Sequence, residues 1–111
     1  MKEIKWITNY NNKLQTKNFF HLDVTPKCLA GIPESEFPQK VRIITLDNSY
    51  PPKECFLHYI MRFKMENIND TVTLLSHDKT AKEFVEEKMK DKQINWQTEI
   101  VLAMYSDKST L

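Results

Sequence analysis

Cys55-Phe56-Leu57-His58-Tyr59-Ile60-Met61-Arg62-Phe63-Lys64-Met65 decides how this chain is read. Its odd positions are all apolar or aromatic, and its polar groups fall on even positions. Side chains alternate sides along a strand, so this pattern predicts an extended segment with two different faces. One face is expected to bury Cys55, Leu57, Tyr59, Met61, Phe63 and Met65. The other is expected to present His58, Arg62 and Lys64. A helix would scatter the same residues around its circumference.

The stretch belongs to a chain of 111 residues, a length that fits one domain over 1–111. Hydrophobic residues make up 41% and charged residues 28%, enough apolar mass for one core and not the composition of a disordered chain. The formal net charge is +1, and Arg42 and Arg62 are the only arginines. A protein that grips a long duplex needs a clear cationic excess to neutralise phosphates, and this chain lacks one. Gly31 is the single glycine, which argues against a phosphate loop built on several glycines. Cys28 and Cys55 are isolated and are expected to be reduced and buried. No apolar run reaches the roughly 20 residues of a membrane span. The opening Met-Lys-Glu-Ile-Lys-Trp has no signal-peptide core. The expected setting is cytoplasmic, with no membrane partner and no cofactor.

Working outward, Lys2 to Thr8 alternates as a first strand, and the asparagine-rich Asn9 to Lys13 is a turn. Phe19 to Val24 is a second strand, with Phe20, Leu22 and Val24 inward and His21 and Asp23 on the other side. Thr25-Pro26-Lys27 ends it. Cys28 to Gln39 reads as a loop, and Lys40 to Leu46 as a β-branched strand. Asn67 to Thr73 is a connection with room for a short helical turn. Thr80 and Glu83 form a capping box that starts the main helix, whose apolar stripe is Ala81, Phe84, Val85 and Met89. Thr98 to Tyr105 is the closing strand, and 106–111 is expected to fray. Several strands with one main helix in the C-terminal half predict an α+β domain, a small twisted mixed barrel or half-barrel.

The candidate ligand-binding residues are His21, His58, Arg62, Lys64 and Trp96. Arg62 and Lys64, about 7 Å apart on one strand face, could hold one phosphate or carboxylate between them. His58 would reach a ribose or base, and His21 would converge with it if the two strands are neighbours. Trp96, in a turn-like segment, offers a stacking surface. A zinc site would need Asp23 or His77 as a further ligand, and no spacing fixes either, so no metal is expected. A cysteine nucleophile is disfavoured because Cys55 and His58 point to opposite faces of one strand.

Three local features resemble the small ASCH-type proteins of the PUA-like superfamily. They are Asn9-Tyr10-Asn11-Asn12-Lys13-Leu14 leading into Phe19-Phe20-His21-Leu22, the long strand running through Ile68-Asn69-Asp70 into a helix over Ser76 to Lys92, and Ile94-Asn95-Trp96-Gln97-Thr98 entering the closing strand. The Gly-x-Lys-x-x-Glu-x-Arg signature of many members is absent. The amidohydrolase branch uses a lysine, a threonine and a glutamate; here Lys27 and Thr25 stand in reversed order beside Pro26, so no catalytic triad is carried across. The Asn9–Asn12 opening and the Trp96 region are also similar in style to small phage proteins that sequester nucleotide immune signals, such as the Thoeris anti-defence proteins. The resemblance implies a non-catalytic binding module for a nucleotide-derived small ligand or a short single-stranded RNA. Its alternatives are a hydrolase acting on RNA or a modified nucleoside, and a protein-interaction module inhibiting a host enzyme. A homodimer or higher homo-oligomer is expected, because an unfinished barrel leaves an edge strand to cover.

Overall fold

The computed structural model describes residues 1–24 and 36–109. Cys28, Gly31 and most of the expected loop from Cys28 to Gln39 lie outside them, as do Thr25 and Lys27. Five strands form one mixed sheet: β1 (Lys2–Trp6), β2 (Asn18–Asp23), β3 (Gln39–Thr45), β4 (Lys53–Lys64) and β5 (Glu99–Ser106), in the order β1-β3-β4-β5-β2. β1 runs parallel to β3, and the other neighbours are antiparallel. Two short helices, α1 (Asp70–His77) and α2 (Ala81–Lys88), follow β4. The α+β class is therefore as read from the sequence.

Each sheet face carries its own core. On one, Trp6, Leu14, Phe19, Ile43, Leu57 and Tyr105 pack together; on the other, Leu22, Met65, Phe84, Val85, Ile100 and Leu102 lie beneath the helices. The first cluster draws on both edge strands. Trp6 of β1 meets Phe19 of β2 edge-on at 5.9 Å and stacks on His21 of β2 at 4.0 Å. The sheet curls until its edges face one another, yet no ladder joins β1 to β2, so it is not closed into a barrel.

Side chains fill the place of the missing ladder. Lys13 Nζ donates to the Phe20 carbonyl at 2.9 Å, and the Leu22 amide donates to Ser76 Oγ at 2.9 Å. These are outward-pointing backbone groups of β2, and an open edge must have them satisfied or shielded. Lys13 also bonds the Ser76 carbonyl at 2.6 Å and Ser76 Oγ at 3.1 Å. Its ammonium thus ties the turn after β1 to β2 and to the C-terminal end of α1, where the helix dipole favours a cation. The turn that delivers it has left-handed backbone at Asn11 (φ 58°) and Asn12 (φ 53°), a conformation asparagine tolerates. Asn11 Nδ2 reaches the Leu74 and Leu75 carbonyls as well, at 3.2 and 3.1 Å.

Several expectations need correction. β4 is extended throughout, but a bulge at His58 resets its alternation: Leu57 pairs Tyr105, and Tyr59 pairs Met104. Cys55 and Leu57 are buried before the bulge, and Ile60 takes the inner place after it. Tyr59 and Met61 are consequently 46% and 44% exposed rather than core. Arg62 and Lys64 still share a face. His21 is buried rather than polar-facing, because both faces of β2 are covered. The single helix over Ser76 to Lys92 is two helices: α1 begins at Asn69, whose side chain caps Val72 N, and ends at Asp78 in left-handed backbone (φ 55°). The expected capping box of Thr80 and Glu83 starts α2. Near the C-terminus, Ser106 is still strand, Asp107 N bonds the Lys17 carbonyl, and the Asp107 carboxylate pairs with Lys53 at 3.0 Å, so this end is tied down two residues into the stretch expected to fray.

Lys13→Met keeps the buried stem but strands the Phe20 and Ser76 carbonyls. Its expected cost is about 2–4 kcal/mol in urea unfolding, the range for leaving buried polar groups unpaired. A loss below about 0.5 kcal/mol, the size of an ordinary surface change, would show that the ammonium does not hold the edge.

Candidate functional site

The open seam between β1 and β2 is also a cavity. It has a volume of about 370 Å³, within the range of small-ligand pockets. β1 contributes Lys5 and Trp6, with Ile7 beyond it. Tyr10 comes from the following turn, and β2 contributes His21, Leu22 and Asp23, with Val24 beyond it. His77 closes α1, and Glu87, Lys88, Asp91 and Ile94 line the far side at and after the end of α2.

Its wall is a ring cluster. His21 stacks between Trp6 at 4.0 Å and His77 at 4.7 Å, and Tyr10 meets His77 at 4.3 Å and His21 at 5.3 Å. Lys13 Nζ lies 5.1 Å from the Trp6 ring. Burial drives the titrations. It draws the Lys13 ammonium down to about 7. Burial, with Lys13 and Lys88 adding repulsion, draws His77 down to about 3. His21 falls well below its ordinary value through burial first, then Lys13, His77 and Lys88. Burial, then Glu87 and Asp23, raises the Tyr10 hydroxyl. At neutral pH the cluster is therefore two neutral imidazoles, an indole and a protonated phenol.

Hydrogen bonding narrows this further. Ser76 Oγ accepts from Lys13 and Leu22, so its own hydrogen goes to His77 Nδ1 at 2.8 Å, which leaves the His77 proton on Nε2. Trp6 Nε1 and His21 Nδ1 are buried with no hydrogen-bond partner among the described residues. Buried polar atoms are nearly always paired, so these two are a departure, and both lie beneath the cavity surface rather than on it.

Lys13, Ser76 and His77 carry the group types of a nucleophile with its bases. Ser76, however, is fully buried, is engaged on every side and does not line the cavity. The chain of bonds is a brace for β2, not a reaction centre. Among the described residues no three His, Cys, Asp or Glu side chains gather as a metal cage. Burial raises the Cys55 thiol to about 12, which removes it as a nucleophile at neutral pH.

The five sequence-derived candidates do not meet in one place. His21 lines the seam cavity. His58 lies in β4, separated from β2 by β5, and donates through Nε2 to the Lys108 carbonyl at 2.6 Å. Arg62 faces Glu99 at 3.5 Å, and Lys64 donates to Gln97 Oε1 at 3.0 Å, so each cation already has a polar neighbour. Trp96 stands 53% exposed in a turn beside a second cavity. The candidate set left out Trp6, Tyr10 and His77 as site residues and Lys13 as the group that positions them. The asparagine run at 9–12 was the available signal, since it marks where the chain turns back on itself. No helix among the described residues is long and apolar enough to cross a membrane. The chain matches no known family model, no curated protein and no solved structure.

The two depressed imidazoles set an acid limit. Their folded values lie below the unfolded one near 6.5, so the unfolded chain binds more protons as pH falls, and stability is lost progressively from about 6.5 toward 3. The slope approaches about 1.4 kcal/mol per imidazole per pH unit. Urea unfolding is expected to show a clear loss between pH 7.5 and 5, and His21→Phe, which keeps a ring against Trp6, should flatten it. Unchanged stability over that interval would contradict the neutral cluster.

Proposed function

We propose that the protein is a non-catalytic binding module on a PUA-like half-barrel, and that the seam cavity takes the base of a nucleotide-derived small ligand or of a short single-stranded RNA. The observation that carries this reading is the cavity of about 370 Å³ walled by the rings of Trp6, Tyr10, His21 and His77. A heterocyclic base carries donors and acceptors on its edge and a flat face. The half-buried Tyr10 ring offers that face a stacking partner, a contact that contributes roughly 1–3 kcal/mol.

The charges select among nucleotide ligands. Lys5 and Lys88 stand against Asp23, Glu87 and Asp91 in the lining. Glu87 is already paired with Lys79, so the lining charges nearly balance, which suits a nucleoside or a ligand of low charge better than a polyphosphate. The curled, unclosed sheet supports the half-barrel. Sequestration of a nucleotide signal, as in anti-defence proteins, would need the seam to close over the ligand. The exposed Tyr59 and Met61 are the residues on which self-association would rest. A hydrolase reading would need a nucleophile in the seam, and the described residues lining it include no serine, threonine or cysteine.

Calorimetric titration with the four ribonucleosides, their monophosphates and a short RNA tests this. At least one is expected to bind with a dissociation constant of about 10⁻⁵ M or below, equivalent to roughly −7 kcal/mol. Tyr10→Leu should weaken it about tenfold, the equivalent of a stacking contact. Absence of binding across the panel at millimolar concentration, or binding indifferent to Tyr10, would overturn the proposal.

A further inference from the structure

A second cavity, of about 330 Å³, lies between α2 and the turn that precedes β5. Ile68, Ala81 and Val85 form its apolar floor, and Trp96 its wall. Glu66, Glu86 and Lys82 complete the lining, two carboxylates against one cation. Trp96, 53% exposed, presents its indole to this cavity beside those apolar side chains.

The turn that presents Trp96 is fixed by its own bonds. Asn95 N donates to Thr98 Oγ1 and Gln97 N to Asn95 Oδ1, both at 2.8 Å, and the Trp96 carbonyl accepts from Glu66 N at 3.0 Å. Indole and carboxylate are thereby anchored to each other through the backbone. The Glu66 side chain is positioned too: Oε2 accepts from Gln97 Nε2 at 2.9 Å, and Gln97 in turn accepts from Lys64 at 3.0 Å. That leaves Oε1 for a ligand. Lys64, read from the sequence as a phosphate grip, acts here as an orienting residue for an acidic site.

We infer that this cavity binds an arginine side chain presented by a partner protein, its stem on Ile68, Ala81 and Val85 and its guanidinium between the Trp96 ring and the carboxylates of Glu66 and Glu86. The chemistry selects arginine over the alternatives. An apolar side chain would leave the net acidity uncompensated. Lysine offers a compact, strongly hydrated charge, whereas the planar guanidinium stacks on an indole and forks onto a carboxylate at once. The inference stands apart from the seam cavity, and either site can fail without the other.

The test follows the indole N–H resonances, with Trp6 as internal reference. The probe is N-acetyl-arginine amide, compared with N-acetyl-norleucine amide and with arginine binding to free N-acetyl-tryptophan amide. Saturable movement of the Trp96 signal alone is expected, at least about tenfold tighter than for free tryptophan amide, because a stacked and carboxylate-paired cation contributes more than an isolated one. The exposed pair Glu66→Gln and Glu86→Gln should weaken binding about fivefold or more, and Lys82→Ala should strengthen it by removing the competing cation. Norleucine binding as tightly as arginine, no saturation, or indifference to both charge changes would overturn the inference.

Discussion

The Lys13 ammonium, bonded to the Phe20 carbonyl and to both oxygens of Ser76, is the contact on which the rest of this structure depends. A five-stranded sheet that curls this far would ordinarily close by pairing its edges. Here Lys13 and Ser76 occupy the outward backbone groups of β2, so β1 approaches only through rings. The Trp6–His21 stack is the result, and the cavity is the space that the missing ladder leaves. A buried ammonium is costly, and burial alone draws it down to about 7. Three oxygen acceptors offset that cost and tie the turn after β1 and the neighbouring β2 to the end of α1, 63 residues away from Lys13.

The same constraint explains the site's electrostatics. Burial first, and the Lys13 cation beneath the cluster second, keep His21 and His77 from readily taking a proton. Ser76 passes its hydrogen to His77 and sets that ring's tautomer. The seam is therefore lined by neutral rings and fixed dipoles, with the formal charges held at its rim. Such a surface suits a flat heterocycle better than a phosphate chain, which distinguishes it from the cationic face of β4 that the sequence brings forward.

Much of the fold was legible because local chemistry agreed with it. Residues 55–64 are extended, the capping box of Thr80 and Glu83 starts a helix, and Trp96 stands in a turn. The illegible parts have tertiary causes. A bulge at His58 leaves no mark in an alternating pattern, yet it exchanged Tyr59 and Met61 for Ile60 as the inner residue. The start of α1 was hidden because Asp70-Thr71-Val72-Thr73 has weak helix propensity, and only the Asn69 cap and the packing against β2 decide it. Of the seam residues, His21 alone was among the candidates. Lysines are expected in water, so nothing local marks Lys13 as 5% exposed, and Trp6 and Tyr10 read as ordinary core until the two sheet edges are seen to meet.

The central claim is that the gap between β1 and β2 is a binding site and not a packing fault. The two tryptophans make this directly observable, since Trp6 lines the seam and Trp96 lines the other cavity. A ¹H–¹⁵N spectrum recorded before and after addition of a bound nucleoside is the decisive measurement. The account predicts movement of the Trp6 indole resonance, with contacts from base protons to the Tyr10 and His77 rings, while Trp96 stays in place. Movement of Trp96 alone, or base contacts to the Arg62 and Lys64 face of β4, would contradict it.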